Sequence, residues 1–166
     1  MNWKSPEEAS RFVTRYADTI LRLCMTYSLA RADAQDICQT VFCRLLRADM
    51  TFDTPEVERA YVIRCTINAC KDLLKSAWWR RHATLHEASH LAAPIVPEPD
   101  DTLYNAVQAL PLRYREPVYL FYYEGYDPNE IAQLLHISPA TVRKRLCRAR
   151  EKLKQELEGY CHETLY

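Results

Sequence analysis

Apolar residues at Phe12, Val13, Tyr16, Ile20, Leu23, Cys24 and Tyr27 follow the three-and-four step that turns one face of an α-helix toward a core. Just upstream, "SPEE" offers Ser5 as N-cap, Pro6 at the first helical position and Glu8 as the return half of a capping box. The pattern restarts at Asp33, a second N-cap candidate, with Ile37, Cys38, Val41, Leu45 and Leu46 inward and Gln35, Asp36, Gln39 and Arg44 off the core. Residues 48–54, "ADMTFDT", read as a loop. Thr54-Pro55-Glu56 opens a third helix, expected to run to about Ser76 with Val62, Cys65, Ala69 and Leu73 inward. On its other side Arg64, Asn68, Lys71 and Lys75 stack at steps of four, three and four, with Asp72 beside them. A solvated face is the ordinary reading of such a stripe. Asn68 does not fit it well, because Asn is a poor helix-interior residue.

The period breaks after Arg81. "APIVPEPDD" holds three prolines within six positions and three acids, a composition that suits a linker between two helical units. Periodicity returns beyond it. Asp100 or Asp101 caps a short helix with Leu103, Val107 and Leu110 inward, ended by Pro111. In "LRYREPVYLFYYEGY" Pro117 is expected in the first turn of the next helix, where its missing N–H costs nothing, and Gly125 closes that helix.

Two short helices then follow in quick succession. Asp127, Pro128 and Glu130 supply an N-cap, a first-turn proline and a capping box for "NEIAQLLH", whose Ile131, Leu134 and Leu135 face inward. His136-Ile137-Ser138 separates this helix from the next, where Ser138 caps and Pro139 takes the first position. Two capped helices joined by such a turn, with Ile137 in the corner, describe a helix-turn-helix. The second helix keeps Val142, Leu146, Ala149 and Leu153 inward and presents Thr141, Arg143, Lys144, Arg145, Arg148 and Lys152 outward.

Charge sharpens this picture. The 166-residue chain is balanced, with 22 basic and 22 acidic residues, yet 138–154 holds seven basic residues against Glu151 alone. Charge segregated in this way binds phosphates despite overall neutrality, and the capped N–H groups of Ser138–Thr141 offer a further phosphate seat. Only Gly125 and Gly159 are glycine, a scarcity that favours helices on short capped loops over sheets and barrels. No apolar run reaches membrane-spanning length and "MNWKSPEEASRF" lacks a signal-peptide core, so a cytoplasmic protein without membrane insertion is expected. The seven cysteines form no C-x-x-C pair and sit mostly among apolar residues, where a reducing compartment makes them small core hydrophobes. His82, His86 and His90 fall at four-residue steps and would share a helix face suited to a metal. No acid or cysteine cluster lies near them, so neither a metal nor a cofactor is assigned.

With these residues in view, "ALPLRYREPVYLFYYEGYDPNEIAQLLHISPATVRKRLCRAREKLKQEL" resembles region 4, the promoter-reading domain of extracytoplasmic-function sigma factors in the sigma-70 family. "ADAQDICQTVFCRLLR" resembles the polymerase-binding helix of that family, and "AYVIRCTINACKDLLKSAWWRR" its region that melts and reads the −10 element. The resemblance runs over roughly residues 9–158.

It implies an all-α fold of two small helical domains joined by a flexible, acidic, proline-containing linker. Residues 1–80 would form a region 2-like domain, 81–100 the linker and 101–166 a region 4-like domain. It implies that Asp36, Gln39 and Phe42 meet the clamp helices of bacterial core RNA polymerase. Arg64, Asn68, Lys71 and Asp72 would handle the separated −10 strand of promoter DNA, and Ser138, Ala140, Thr141, Arg143, Lys144, Arg145 and Arg148 the −35 duplex. An anti-sigma factor as partner and the absence of enzymatic activity are implied as well. Three positions depart from the family pattern: Thr40 where an acid is usual, Tyr61 for a tryptophan, and His136 at a turn position often given to glycine. Positive φ at His136 would cost about 1 kcal/mol.

Two other readings compete. A stand-alone helix-turn-helix regulator would use 1–80 for dimerisation or sensing, which requires a self-complementary apolar face that the pattern does not leave over. A metal enzyme or sensor would be built on His82, His86 and His90 and nearby cysteines.

Overall fold

Every regular element among the described residues is helical. The computed structural model describes residues 6–47, 52–83 and 102–163, with backbone alone over 78–83 and 159–163. The elements are α1 (Pro6–Thr26), α2 (Arg31–Arg47), α3 (Pro55–Ala83), α4 (Thr102–Ala109), α5 (Leu112–Val118), a π turn continuing α5 (Tyr119–Tyr123), α6 (Pro128–Leu135) and α7 (Pro139–Glu163). The chain divides into two compact units, Met1–Ile95 and Val96–Tyr166. An all-α fold of two helical units is thus observed. Ser5 and the segment containing His86 and His90 lie outside the described residues, as does the side chain of His82.

In the first unit α1, α2 and α3 pack on one another. Ile20, Leu23, Val41, Leu45, Val62, Ile63 and Ile67 are almost completely buried, and each such side chain stabilises the fold by roughly 1.5–3 kcal/mol. After α1 the chain turns at Ser28, which takes φ 55°. The Leu29 N–H then returns to the Cys24 carbonyl at 3.2 Å, closing the helix end as a glycine normally would.

Several expectations for this unit are corrected. Helix α2 starts at Arg31, and the Ala34 N–H bonds the Ala30 carbonyl at 2.9 Å. Asp33 therefore lies inside the first turn, where its charge favours the positive helix end without capping it. Leu46 is 40% exposed and Val13 39%, while Ala34 and Phe42 take core places instead. Thr54 does start α3, its hydroxyl accepting from the Val57 N–H at 3.3 Å, but the helix runs on past Ser76 to Ala83. Its buried stripe is Val62, Ile63, Thr66, Ile67, Ala69 and Cys70, with Cys65 and Leu73 only half-buried. The stripe has rotated toward the β-branched residues, and the Thr66 hydroxyl is satisfied by the Val62 carbonyl at 2.9 Å.

In the second unit α7 is the common support, packing on α4, α5 and α6. Ala106, Leu110, Val118, Leu120, Ile131, Leu134, Val142, Leu146 and Ala149 fill the core. Leu103, expected inward, is 55% exposed because α4 turns Ala106 and Leu110 to the core. Pro117 is also not where the sequence suggested. Helix α5 begins at Leu112, so the fully buried Pro117 lies in its interior and removes a helical hydrogen bond. The turn that follows opens to π geometry, with the Glu124 N–H reaching the Tyr119 carbonyl at 3.1 Å. Gly125, at φ 77°, ends the helix as expected.

Candidate nucleic-acid interface

The helix-turn-helix is built by three local devices. Asp127 accepts from the Asn129 and Glu130 N–H groups at 2.6 and 3.0 Å, and its own N–H donates to Glu130 Oε2 at 2.8 Å, a complete capping box. His136 ends α6 in the left-handed region, at φ 56° and ψ 46°. The Ile137 N–H then reaches back to the Ala132 carbonyl at 3.0 Å. Ser138 caps α7, its Oγ accepting from the Thr141 N–H at 3.1 Å and sharing a hydrogen bond with Thr141 Oγ1 at 2.8 Å.

Val142, Leu146 and Ala149 pin α7 to the core and so fix which residues face out. Ser138, Ala140, Arg143, Lys144, Arg148 and Lys152 are exposed, and Thr141 and Arg145 are half-exposed. The residues expected to read duplex DNA therefore all reach the surface of one helix. Ala140 and Thr141, next to the capped N-terminus, leave room for close approach, while arginine suits bidentate contact with guanine or phosphate.

Two α7 arginines are held by rings of α5 and of the π turn that continues it, a feature that sequence reasoning missed. The Arg148 side chain hydrogen-bonds the buried Tyr114 phenol, lowering its pKa from the ordinary value, and the Arg113 guanidinium lies 4.9 Å from the same ring's centroid. Arg150 Nε donates to the Tyr122 hydroxyl at 2.6 Å, with its guanidinium 5.9 Å from the Phe121 ring and 5.8 Å from that of Tyr122. Arg150 lies seven positions after Arg143, on the same side of α7, and that spacing was the signal available. The aromatic partners, some 30 residues upstream, gave none.

In the first unit the polar stripe of α3 is where the spacing put it. Arg64, Asn68, Asp72 and Lys75 are exposed and Lys71 is half-exposed. At the start of this stripe Tyr61 is half-buried against Phe52, centroids 5.4 Å apart, and hydrogen-bonded to Cys65. Burial raises the pKa of both the Tyr61 phenol and the Cys65 thiol.

The third expected group divides. Asp36, Gln39 and Thr40 are exposed on α2, whereas Phe42 is buried with its ring edge-on to Phe12, centroids 6.0 Å apart. Among the described residues no group of three or more His, Cys, Asp or Glu side chains is disposed to hold a metal. No helix among them is long and apolar enough to cross a membrane.

Comparison with known proteins matches both units. The Sigma-70 region 2 family model matches residues 12–80 and that of Sigma-70, region 4, residues 100–153. The RNA polymerase sigma factor CarQ of Myxococcus xanthus is 30% identical over 132 residues, which cover 75% of this chain and 74% of that protein. The ECF RNA polymerase sigma factor SigE of Mycolicibacterium smegmatis is 27% identical over 161 residues, covering 92% of this chain. The chain spans 40% and 62% of the length of two of the curated relatives it matches. The fold is also that of the sigma factor RpoE solved in complex with the anti-sigma factor NepR from Bartonella quintana, with TM-score 0.71 and 15% identity over 92% of this chain and 98% of that one. Matched in order by both sigma-70 regions and over three-quarters of its length by CarQ, the chain belongs to the extracytoplasmic-function group of the sigma-70 family.

Proposed function

We propose that the chain is a dissociable, non-enzymatic, cytoplasmic subunit of bacterial RNA polymerase that directs the core enzyme to a specific set of promoters. The observation that carries this reading is the capped, basic face of α7 next to a left-handed turn, in a chain whose other unit bears the separate polar stripe of α3. In this reading Ser138, Ala140, Thr141, Arg143, Lys144, Arg145 and Arg148 read the −35 duplex. Arg64, Asn68, Lys71 and Asp72 handle the separated −10 strand. Asp36 and Gln39 meet the polymerase, with Phe42 supporting them from beneath. Residues 1–80 and 101–166 are the two working domains and 81–100 the link between them.

Neither half should hold promoter DNA tightly alone, because each reading surface is small. The likeness to a sigma factor solved with an anti-sigma factor supports a regulatory partner of that kind. The test is transcription from a promoter library by purified core polymerase, with and without the protein. New start sites sharing two spaced upstream elements are the expected result. If transcription is unchanged while the free protein shifts specific duplexes, the stand-alone regulator reading replaces this one.

A further inference from the structure

Six cysteines among the described residues are not joined in disulfides, and two of them face each other inside the first unit. Cys24 on α1 and Cys70 on α3 are both fully buried, with their sulfurs 3.8 Å apart across 46 positions of sequence. The other thiols stand differently. Cys43 and Cys147 are exposed on separate helices, and Cys65 is tied to Tyr61. Cys38 on α2 is half-buried, its thiol pKa raised by burial and by nearby Cys24.

We propose that Cys24 and Cys70 are a disulfide-forming pair that staples α1 to α3 behind the polar stripe when the cell becomes oxidising. The sulfurs must approach by roughly 1.7 Å to reach bonding distance near 2.05 Å. The segment they would close contains all of α2, so one bond ties the three helices of the unit into a ring and restricts its unfolded chain.

A low-molecular-weight disulfide is a sufficient oxidant. One protein thiolate attacks a sulfur of that disulfide, forming a mixed disulfide and releasing one small thiolate. The second protein thiolate attacks the protein-bound sulfur and expels the other small thiolate. The pair loses two electrons, the small disulfide gains them, and the two thiol protons pass to the released small thiols. Neither sulfur touches solvent, so exchange waits on opening of the seam between α1 and α3. Oxidation is therefore slow and follows the stability of the unit, and the bond once formed is equally shielded from reductants.

The test treats the full chain carrying Cys43→Ser and Cys147→Ser, two exposed positions, with oxidised glutathione, and maps disulfides by mass spectrometry of a non-reducing digest. The expected product is a monomer lighter by two hydrogens with a Cys24–Cys70 linked peptide. Its urea midpoint is raised and returns to the starting value with dithiothreitol. Its formation should quicken several-fold in urea below the unfolding transition. A linkage confined to Cys38 or Cys65, or thiols at 24 and 70 that stay free after prolonged treatment in such urea, overturns the proposal.

Discussion

The Tyr16 hydroxyl on α1 donates to Glu58 Oε1 on α3 at 2.7 Å, and the Arg15 guanidinium reaches the same oxygen at 3.3 Å. Glu58 is 4% exposed, so these two donors are what allow an acid to sit at the seam of a small helical unit. Tyr16→Phe keeps the ring, which packs 4.7 Å from Phe12, and removes only the donor. It should destabilise the first unit by about 1–3 kcal/mol, seen as a lower urea midpoint with an unchanged slope.

The same contact has an alkaline signature. Burial first, and then the bond to Glu58 and its charge, raise the Tyr16 phenol above its ordinary value of 10.0. The folded state thus keeps a proton that the unfolded chain gives up. Its contribution is complete below pH 10 and declines as pH rises beyond it. Urea midpoints measured from pH 9 to 11 should fall less steeply for Tyr16→Phe than for the wild type.

Asp127→Ala deletes the acceptor for two N–H groups and leaves Glu130 with nothing to reciprocate. A loss of about 1–2 kcal/mol is expected, which in a unit of this size lowers the melting temperature by some 4–8 °C per kcal/mol. Calorimetry reads the change in the second unit, with the first unit's transition unmoved.

His136 tests backbone strain apart from side-chain contacts, because its side chain is exposed while its φ is 56°. His136→Gly should stabilise the second unit by about 0.5–1 kcal/mol, and His136→Val should destabilise it by more. Thermal unfolding of the two variants in parallel checks the sign.

Much of this was legible because caps and periodicity are local. Asp127, Ser138 and Thr54 announced their helices, and the spacing of Arg64, Asn68, Lys71 and Lys75 placed the polar stripe. What failed was non-local. Leu103 and Leu46 satisfy the helical period yet stay outside, because neighbouring helices pack on Ala106 and Phe42 instead. Pro117 was misplaced because the start of α5 was. The partners of Arg148 and Arg150, and the facing of Cys24 and Cys70, exist only after chain segments far apart in sequence are brought together.

On the division of labour proposed above, the α7 and α3 surfaces should fail separately. Arg143→Ala should weaken promoter-dependent binding by the holoenzyme about tenfold and flatten its salt dependence, since one phosphate or base contact is lost. Asn68→Ala should leave closed-complex affinity within about twofold while slowing strand opening. Filter binding and permanganate footprinting on one promoter separate these outcomes, and equal loss in both steps for both variants would refute the division of labour.

The π turn after Pro117 breaks the phase of its helix. Five residues close the turn, so each step rotates the chain by a smaller angle than in an α-helix. The sequence neighbours Phe121 and Tyr122 thereby come close enough in direction to flank one guanidinium, that of Arg150. Removing a single residue between 119 and 123 would restore α spacing and undo the turn that sets these two rings against Arg150. In this stretch the count of residues matters as much as their identity.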